Sequence, residues 1–426
     1  MINDRAIRSS KWMIPKIGIG ELLLFGTIYL ESTSFSVESP IGRIRPDTVV
    51  IACIGFVMLF RYLIFKTKGS TILKASLFLA AYVGINVLAL YKSASISSSL
   101  KVIFLLLSWL VVFLYLIKHC STERTALKLV KCFLFFGIVQ ALIGVAQMQG
   151  EFIRPTGTIG SGDSDFFGLA IMGNLLIITT LQVLGVRVFG RFLDSAISIL
   201  FMINLYFAFV RSAWLGYLAG IVFLMTIITL RYIGRIRVRM KYVLSTFFLA
   251  ILVFITAFSL SPQLQKYFML RISLAATGGY SIANNIRYQM MACSWNNAMA
   301  SPIIGNGPAA FVTQGATLNI PFSRGTAFDP SIVTTLMNDT GIIGTGMFII
   351  FLFVFYADVF RTYKLNPNSL LAKYALAFSI SVFGLLISYI FTNGLWLPFS
   401  WVFFGFTTAL AAAAKRQHLN GGEVVK

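Results

Sequence analysis

The chain is a succession of apolar runs, each about the length of a membrane-crossing helix, separated by polar segments rich in lysine and arginine. About 20 apolar residues wound as a helix cross roughly 30 Å of hydrocarbon. Runs of that kind lie near 17–34, 47–65, 72–91, 99–117, 128–148, 166–184, 192–210, 212–230, 242–261, 340–360, 371–391 and 395–414. The pattern predicts an all-α polytopic membrane protein with about twelve transmembrane helices. The two runs that meet at Arg211 are the hardest to separate, because no polar loop intervenes.

Composition agrees with this reading: 58% of residues are hydrophobic and 12% charged, which excludes an ordinary soluble core. A net charge of +21 would suggest nucleic acid in a soluble protein, but the placement of the cations points elsewhere. With the N-terminus in the cytoplasm, 25 of the 35 lysines and arginines fall on inner segments, as the positive-inside rule requires. The charge is an orientation signal: no nucleic acid is expected, and both termini face the cytoplasm. The run Arg231–Lys241 reads as topology and contact with anionic lipid. The first apolar run contains Glu21 and no small-residue cleavage pattern follows it, so it is expected to remain as the first helix.

Cys53, Cys120, Cys132 and Cys293 are scattered, and His119 and His418 are far apart, so no disulfide framework and no metal site follows. Cofactors are not expected either. Residues 1–426 read as one integral membrane domain, with a large external loop at 262–331 between the ninth and tenth runs. Loops of that length are usually functional, although capping the bundle is the plain alternative. Within it, Ile286 to Met299 resembles a helix at the interface, and the turn-rich SPIIGNGPAAF from Ser301 to Phe311 ends it. Trp396 and Trp401 read as interfacial belt and packing.

Three outer segments carry arginines. RPTGTIGSGDSDFFG from Arg154 to Gly168 has glycines that free the backbone to approach a ligand, and Arg154 has Asp163 and Asp165 near it in sequence. FVRSAWLGYLAG from Phe209 to Gly220 holds Arg211, the one charge between two long apolar runs. A guanidinium there is costly unless an anion or a polar cavity meets it, or unless it snorkels to the surface; both readings stay open. NNIRYQMMACSWNNAMASPIIGNG from Asn284 to Gly307 holds Arg287 at the head of the loop helix.

In the order of these segments the chain resembles the O-antigen ligase and O-antigen polymerase superfamily of bacterial inner membranes. The resemblance runs over nearly the whole chain. It rests on IRP at Ile44 to Pro46, ALIGVAQMQG at Ala141 to Gly150, RPTGTIG at Arg154 to Gly160 and the Arg-Ser-small-Trp of Arg211 to Trp214. The arginine of NNIRYQ, the PIIGNG turn of Pro302 to Gly307 and NDTGIIGTGMF of Asn338 to Phe348 complete it. It implies a GT-C-type, metal-independent, inverting glycosyltransferase that takes a glycan from undecaprenyl diphosphate to an acceptor sugar at the outer face of the inner membrane. The partners implied are the lipid-linked donor, an acceptor that is a lipid-linked repeat unit or lipid A core, membrane lipids and a candidate chain-length regulator.

Under that resemblance Arg211 and Arg287 are candidate catalytic residues, two planar forks matched to the oxygens of one diphosphate. Arg154, Asp339 and Arg324 are candidate substrate-binding residues. Many relatives, the ligases especially, carry a histidine before the helix that opens the last motif. The matching stretch here, TAFDPSIVTTLMNDTG from Thr326 to Gly341, has none. Its absence favours a polymerase over a ligase and leaves Asp329 as the candidate base, while Asp329 before Pro330 is equally a helix-capping pair; Asp339 is the second candidate, at an acidic motif position that also reads as a structural pair or cap. A lipid-linked oligosaccharide flippase is the alternative of another class; it calls for paired halves or broken helices at mid-membrane, which the sequence does not clearly show.

Overall fold

The computed structural model describes residues 74–148 (except 121), 155–158, 164–232, 279–315 and 329–422 (except 396), with shorter pieces among residues 25–57 and 259–269. Its long helices are α1 (Lys74–Leu88), α2 (Ile96–His119), α3 (Glu123–Gln147), α4 (Ser164–Val183), α5 (Arg191–Ala208) and α6 (Arg211–Tyr232). After them come α7 (Gly279–Ala300), the short α8 (Ala310–Gly315), α9 (Ile332–Leu365), α10 (Leu370–Tyr389) and α11 (Pro398–Gly422). Among the described residues, eight helices are long and apolar enough to cross a membrane, which makes this a multi-pass membrane protein. Nine of the twelve apolar runs coincide with described helices; the runs at 17–34, 47–65 and 242–261 lie largely outside the described residues.

Three local findings depart from the sequence expectations, and one, the separation of the runs at Arg211, agrees with them. A two-stranded antiparallel hairpin, Val37–Ser39 with Gly42–Ile44, precedes the second run, so the chain is not wholly helical. The runs that meet at Arg211 are separate helices, because Phe209 adopts a left-handed conformation (φ 54°) that ends α5. The loop helix is longer than expected, beginning at Gly279, and it packs along α9. Finally, α9 starts eight residues before the expected 340 and is broken at Gly341 (φ 60°, ψ −161°).

Polar ends and apolar middles set the helix limits. Thr122 caps α3 through a reciprocal pair with Thr125, and Ser369 accepts the Ala372 amide at the start of α10. The centre of the bundle is α4, buried along nearly its whole length, and α10, which packs against α4, α6, α9 and α11. In lipid, close approach of small residues replaces the hydrophobic drive between helices. Gly216 of α6 accordingly lies against Gly384 and Ser388 of α10, where any Cβ would collide with both. Trp401 stacks on Trp109 at 4.7 Å, and its indole N–H donates to the Leu395 carbonyl at 2.7 Å, so it belongs to the core packing. Trp396 lies outside the described residues.

Candidate functional site

Arg211 is the first residue of α6, one residue beyond the turn at Phe209 and Val210. The turn is held from both sides: the Phe209 amide donates to the Tyr206 carbonyl at 3.1 Å, and the Trp214 indole N–H donates to the Leu205 carbonyl at 3.1 Å. A cation at a helix N-terminus opposes the helix dipole, so Arg211 does not stabilise α6. Its exposed guanidinium adds positive charge to an end that already presents backbone N–H groups, which suits an anion. The remainder of the Arg-Ser-Ala-Trp-Leu-Gly segment builds this position. Ser212 is buried and donates to the Thr392 hydroxyl at 3.0 Å, its carbonyl accepts from Ser388 at 2.8 Å, and Gly216 lets α10 approach.

Arg287 reaches the same place from α7. One guanidinium nitrogen donates to the Phe391 carbonyl at 3.1 Å and to the Thr392 hydroxyl at 3.3 Å, and the other meets the Asp165 carboxylate at 3.1 Å. Asp165 lies in the first turn of α4, where the dipole favours an acid. The N-termini of α4 and α6, the segment after α10 and one face of α7 therefore converge, and Thr392 touches both the arginine of α7 and the serine beside Arg211.

Asp329, which precedes α9, is tied to the segment after α10 through Thr335 and Asn393. It precedes the N-cap position Ser331 by two residues, so it is not the N-cap that its sequence suggests. Its Oδ1 accepts from the Ser331 amide at 2.8 Å and from the hydroxyls of Thr334 at 2.9 Å and Thr335 at 3.0 Å. Its Oδ2 is buried and has no hydrogen-bond partner among the described residues. Burial pushes the carboxyl up to about 6, against the lowering effect of the hydroxyls of Ser294, Thr334 and Thr335 and the Ser331 amide. The Thr335 hydroxyl in turn accepts from the Asn393 carboxamide at 2.8 Å. Residues 391–393 thus bond Arg287, Ser212 and the Thr335 that holds Asp329.

Asp339 serves the scaffold. Its carboxylate is buried, and its two oxygens accept the Ala309 and Ala310 amides at 3.2 Å each. The break at Gly341 opens the α9 ladder, and the Pro302–Gly307 turn fills it. Asn306 N–H donates to the Asn338 carbonyl at 2.7 Å and Gly307 N–H to the Asp339 carbonyl at 3.0 Å, while Ile342 and Ile343 donate to the Pro302 and Ile303 carbonyls. Backbone runs on backbone here, and a Cβ on Gly305 (φ 81°) would sit 2.6 Å from the Asp339 carbonyl. The PIIGNG and NDTG segments are therefore two halves of one joint, which anchors α7 to α9. Asn338 strengthens it by donating to Ser294 at 3.0 Å and to Gln314 at 2.6 Å.

Arg154, Arg324 and Asp163 lie outside the described residues. The part of the RPTGTIG loop that is described, Pro155–Thr158, folds back along α3: Gln147 accepts the Thr156 and Gly157 amides, and Gln140 accepts the Thr158 amide. Seven residues of helix separate the two glutamines, about 10 Å of rise, so the loop dips into the bundle beside α3. Sequence reasoning missed Ser212, Thr335, Thr392 and Asn393 altogether. Only proximity to Arg211 or Asp329 along the chain could have drawn attention to the first two, and nothing in FTNG singles out the last two.

Residues 196–349 match the family model described as O-Antigen ligase. No curated protein matches the chain. The matched segment contains Arg211, Arg287, Asp329 and the joint between the Pro302–Gly307 turn and Gly341, so the similarity to O-antigen ligases falls on the part of the chain that carries the candidate site.

Proposed function

We propose that this protein is a GT-C-type, metal-independent, inverting glycosyltransferase that takes its glycan from undecaprenyl diphosphate, and that it acts as an O-antigen or exopolysaccharide polymerase. The convergence of Arg287, the Arg211-bearing turn and Asp329 on residues 391–393 carries this reading. The family match supports a glycosyltransferase of the ligase or polymerase type. The finer choice follows from the chemistry of the acceptor side, where an aspartate stands in a stretch without histidine.

The acceptor hydroxyl oxygen attacks the anomeric carbon as the bond from that carbon to the diphosphate oxygen breaks. The leaving lipid diphosphate gathers negative charge, and the guanidinium forks of Arg211 and Arg287 stabilise it in place of a general acid. The acceptor's proton passes to Asp329, whose Oδ2 has no hydrogen bond to give up among the described residues. Because Asp329 is 1% exposed, the acceptor hydroxyl has to part the contacts around it to reach that oxygen. Arg154 and Arg324, candidates from the sequence alone, are assigned to binding the glycan or lipid diphosphate.

The end of the bundle that carries this site is opposite the end that carries Lys118, Arg124, Lys128, Arg187, Arg191, Arg361, Lys364, Lys415 and Arg416. That distribution supports a site on the periplasmic side, with both termini and the 231–241 segment cytoplasmic, and with 262–331 as the large outer segment. Reconstitution with lipid-linked repeat units tests the function: a polymerase lengthens the glycan on undecaprenyl diphosphate with no lipid A present. A ligase requires a lipid A core acceptor, and a flippase moves the lipid without forming any glycosidic bond.

A further inference from the structure

The Arg287 guanidinium is already engaged in this structure, with the Asp165 carboxylate on one nitrogen at 3.1 Å and residues 391 and 392 on the other. The backbone carbonyl and hydroxyl on that second nitrogen are neutral and fixed to the fold, whereas the Asp165 contact is a charged side chain. Both partners of the ion pair reach solvent, with side-chain exposures of 45% for Arg287 and 24% for Asp165, so the pair can open without a rearrangement of the core. Asp165 is also not stranded when it lets go, because it sits in the first turn of α4, where the helix dipole favours its charge.

We infer that Asp165 is an exchangeable counter-ion of Arg287: it occupies the guanidinium between turnovers, yields it to the lipid diphosphate, and takes it back as the product leaves. This rests on the reading of Arg287 as a diphosphate ligand. A phosphate oxygen and the carboxylate are like charges competing for the same N–H donors, so donor binding and the Asp165 contact exclude each other at that nitrogen. An internal competitor weakens apparent affinity by the fraction of time the site is available, so a pair formed about nine-tenths of the time weakens binding about tenfold. The same factor limits the grip on the product, an anion with the diphosphate fully exposed, and so favours its release.

The test uses the full-length protein in detergent at fixed ionic strength, with inorganic pyrophosphate as the probe and calorimetry as the readout. Asp165→Asn is expected to tighten pyrophosphate binding about 3- to 10-fold, and Asp165→Ser, which removes the charge by a different side chain, is expected to do the same. Removing a negative charge strengthens anion binding by its field alone, and the double mutant separates that effect from exchange. In an Arg287→Gln background only the field effect remains, and exchange predicts that Asp165→Asn tightens pyrophosphate binding clearly less than it does with Arg287 present. Unchanged affinity in the single variants, or equal tightening with and without Arg287, overturns the exchange while leaving the clamp intact. If Arg287→Gln alone leaves pyrophosphate affinity unaltered, the clamp fails, and the exchange with it.

Discussion

Asn393 donates its carboxamide N–H to the Thr335 hydroxyl at 2.8 Å, and that bond joins the arginine side of the site to its carboxylate. The neighbouring Thr392 takes the Arg287 and Ser212 contacts, and Thr335 donates onward to Asp329 at 3.0 Å. A hydroxyl has one proton to give. With Asn393 filling one of its lone pairs, Thr335 directs that proton to Asp329 or to the Ser331 carbonyl, 2.8 Å away.

Removing this link should act on the carboxyl before it acts on the fold. Thr335→Val keeps the side-chain shape but takes away a donor to the charged form of Asp329, so its pKa should rise by roughly one unit. The acidic limb of the rate profile should move upward with it, with donor KM little changed. A pH–rate profile of the variant checks this, and an unshifted limb assigns Thr335 to helix packing alone.

Asp329 itself gives a sharper outcome. Its carboxyl is pushed up to about 6, so it is ionised above that pH and protonated below it. A base is active only when ionised, and activity should therefore fall as pH drops through about 6. Asp329→Asn retains an oxygen for the Ser331 amide but cannot take a proton, so turnover should fall by roughly 10²- to 10⁴-fold with donor binding retained. If Asp329 serves only as a turn acceptor, the asparagine variant keeps its activity. Stability should run the other way with pH: a carboxyl raised above its unfolded value of about 3.9 contributes most when protonated, and that contribution is lost as pH rises through about 6.

Arg211→Lys and Arg287→Lys preserve charge and lose the planar pair of donors. Each should cost on the order of 2–4 kcal/mol of transition-state stabilisation, or roughly 30- to 1000-fold in rate, with insertion and folding intact. Turnover of lipid-linked substrate by each purified variant measures it. A lysine variant at near wild-type rate removes that arginine from the clamp.

Asp339 should behave as a structural residue. Asp339→Ala leaves the Ala309 and Ala310 amides without acceptors, each worth about 1–3 kcal/mol when buried, and Gly305→Ala forces a side chain into backbone at positive φ. Both should lower the melting temperature in detergent. Substrate affinity in whatever fraction stays folded should be close to wild type, and a selective loss of donor affinity in Asp339→Ala would instead place that carboxylate on the substrate.

The helices were legible because lipid leaves an unmistakable periodic demand, and nine apolar runs meet described helices. Arg211 and Arg287 stood out as cations in apolar or outer settings, but their meeting point did not. Thr392 and Asn393 belong to a short polar segment after α10 whose value comes only from what α6, α7 and α9 bring to it. Asp339 could be read from the sequence either as a site residue or as a structural pairing or capping group of its motif, and its two oxygens bond the amides of Ala309 and Ala310. The Asp329–Pro330 pair was misplaced by two residues because Ser331 takes the N-cap position and Asp329 acts from outside the helix.

The most direct measurement is glycan length after incubation of reconstituted protein with synthetic undecaprenyl-diphosphate repeat units, analysed by mass spectrometry, for wild type and Arg287→Lys. The account predicts a ladder of repeats on undecaprenyl diphosphate from the wild type without lipid A, and a ladder at least 30-fold slower to appear from the variant. Transfer that appears only when a lipid A core acceptor is added, or lipid movement with no new glycosidic bond, would contradict it.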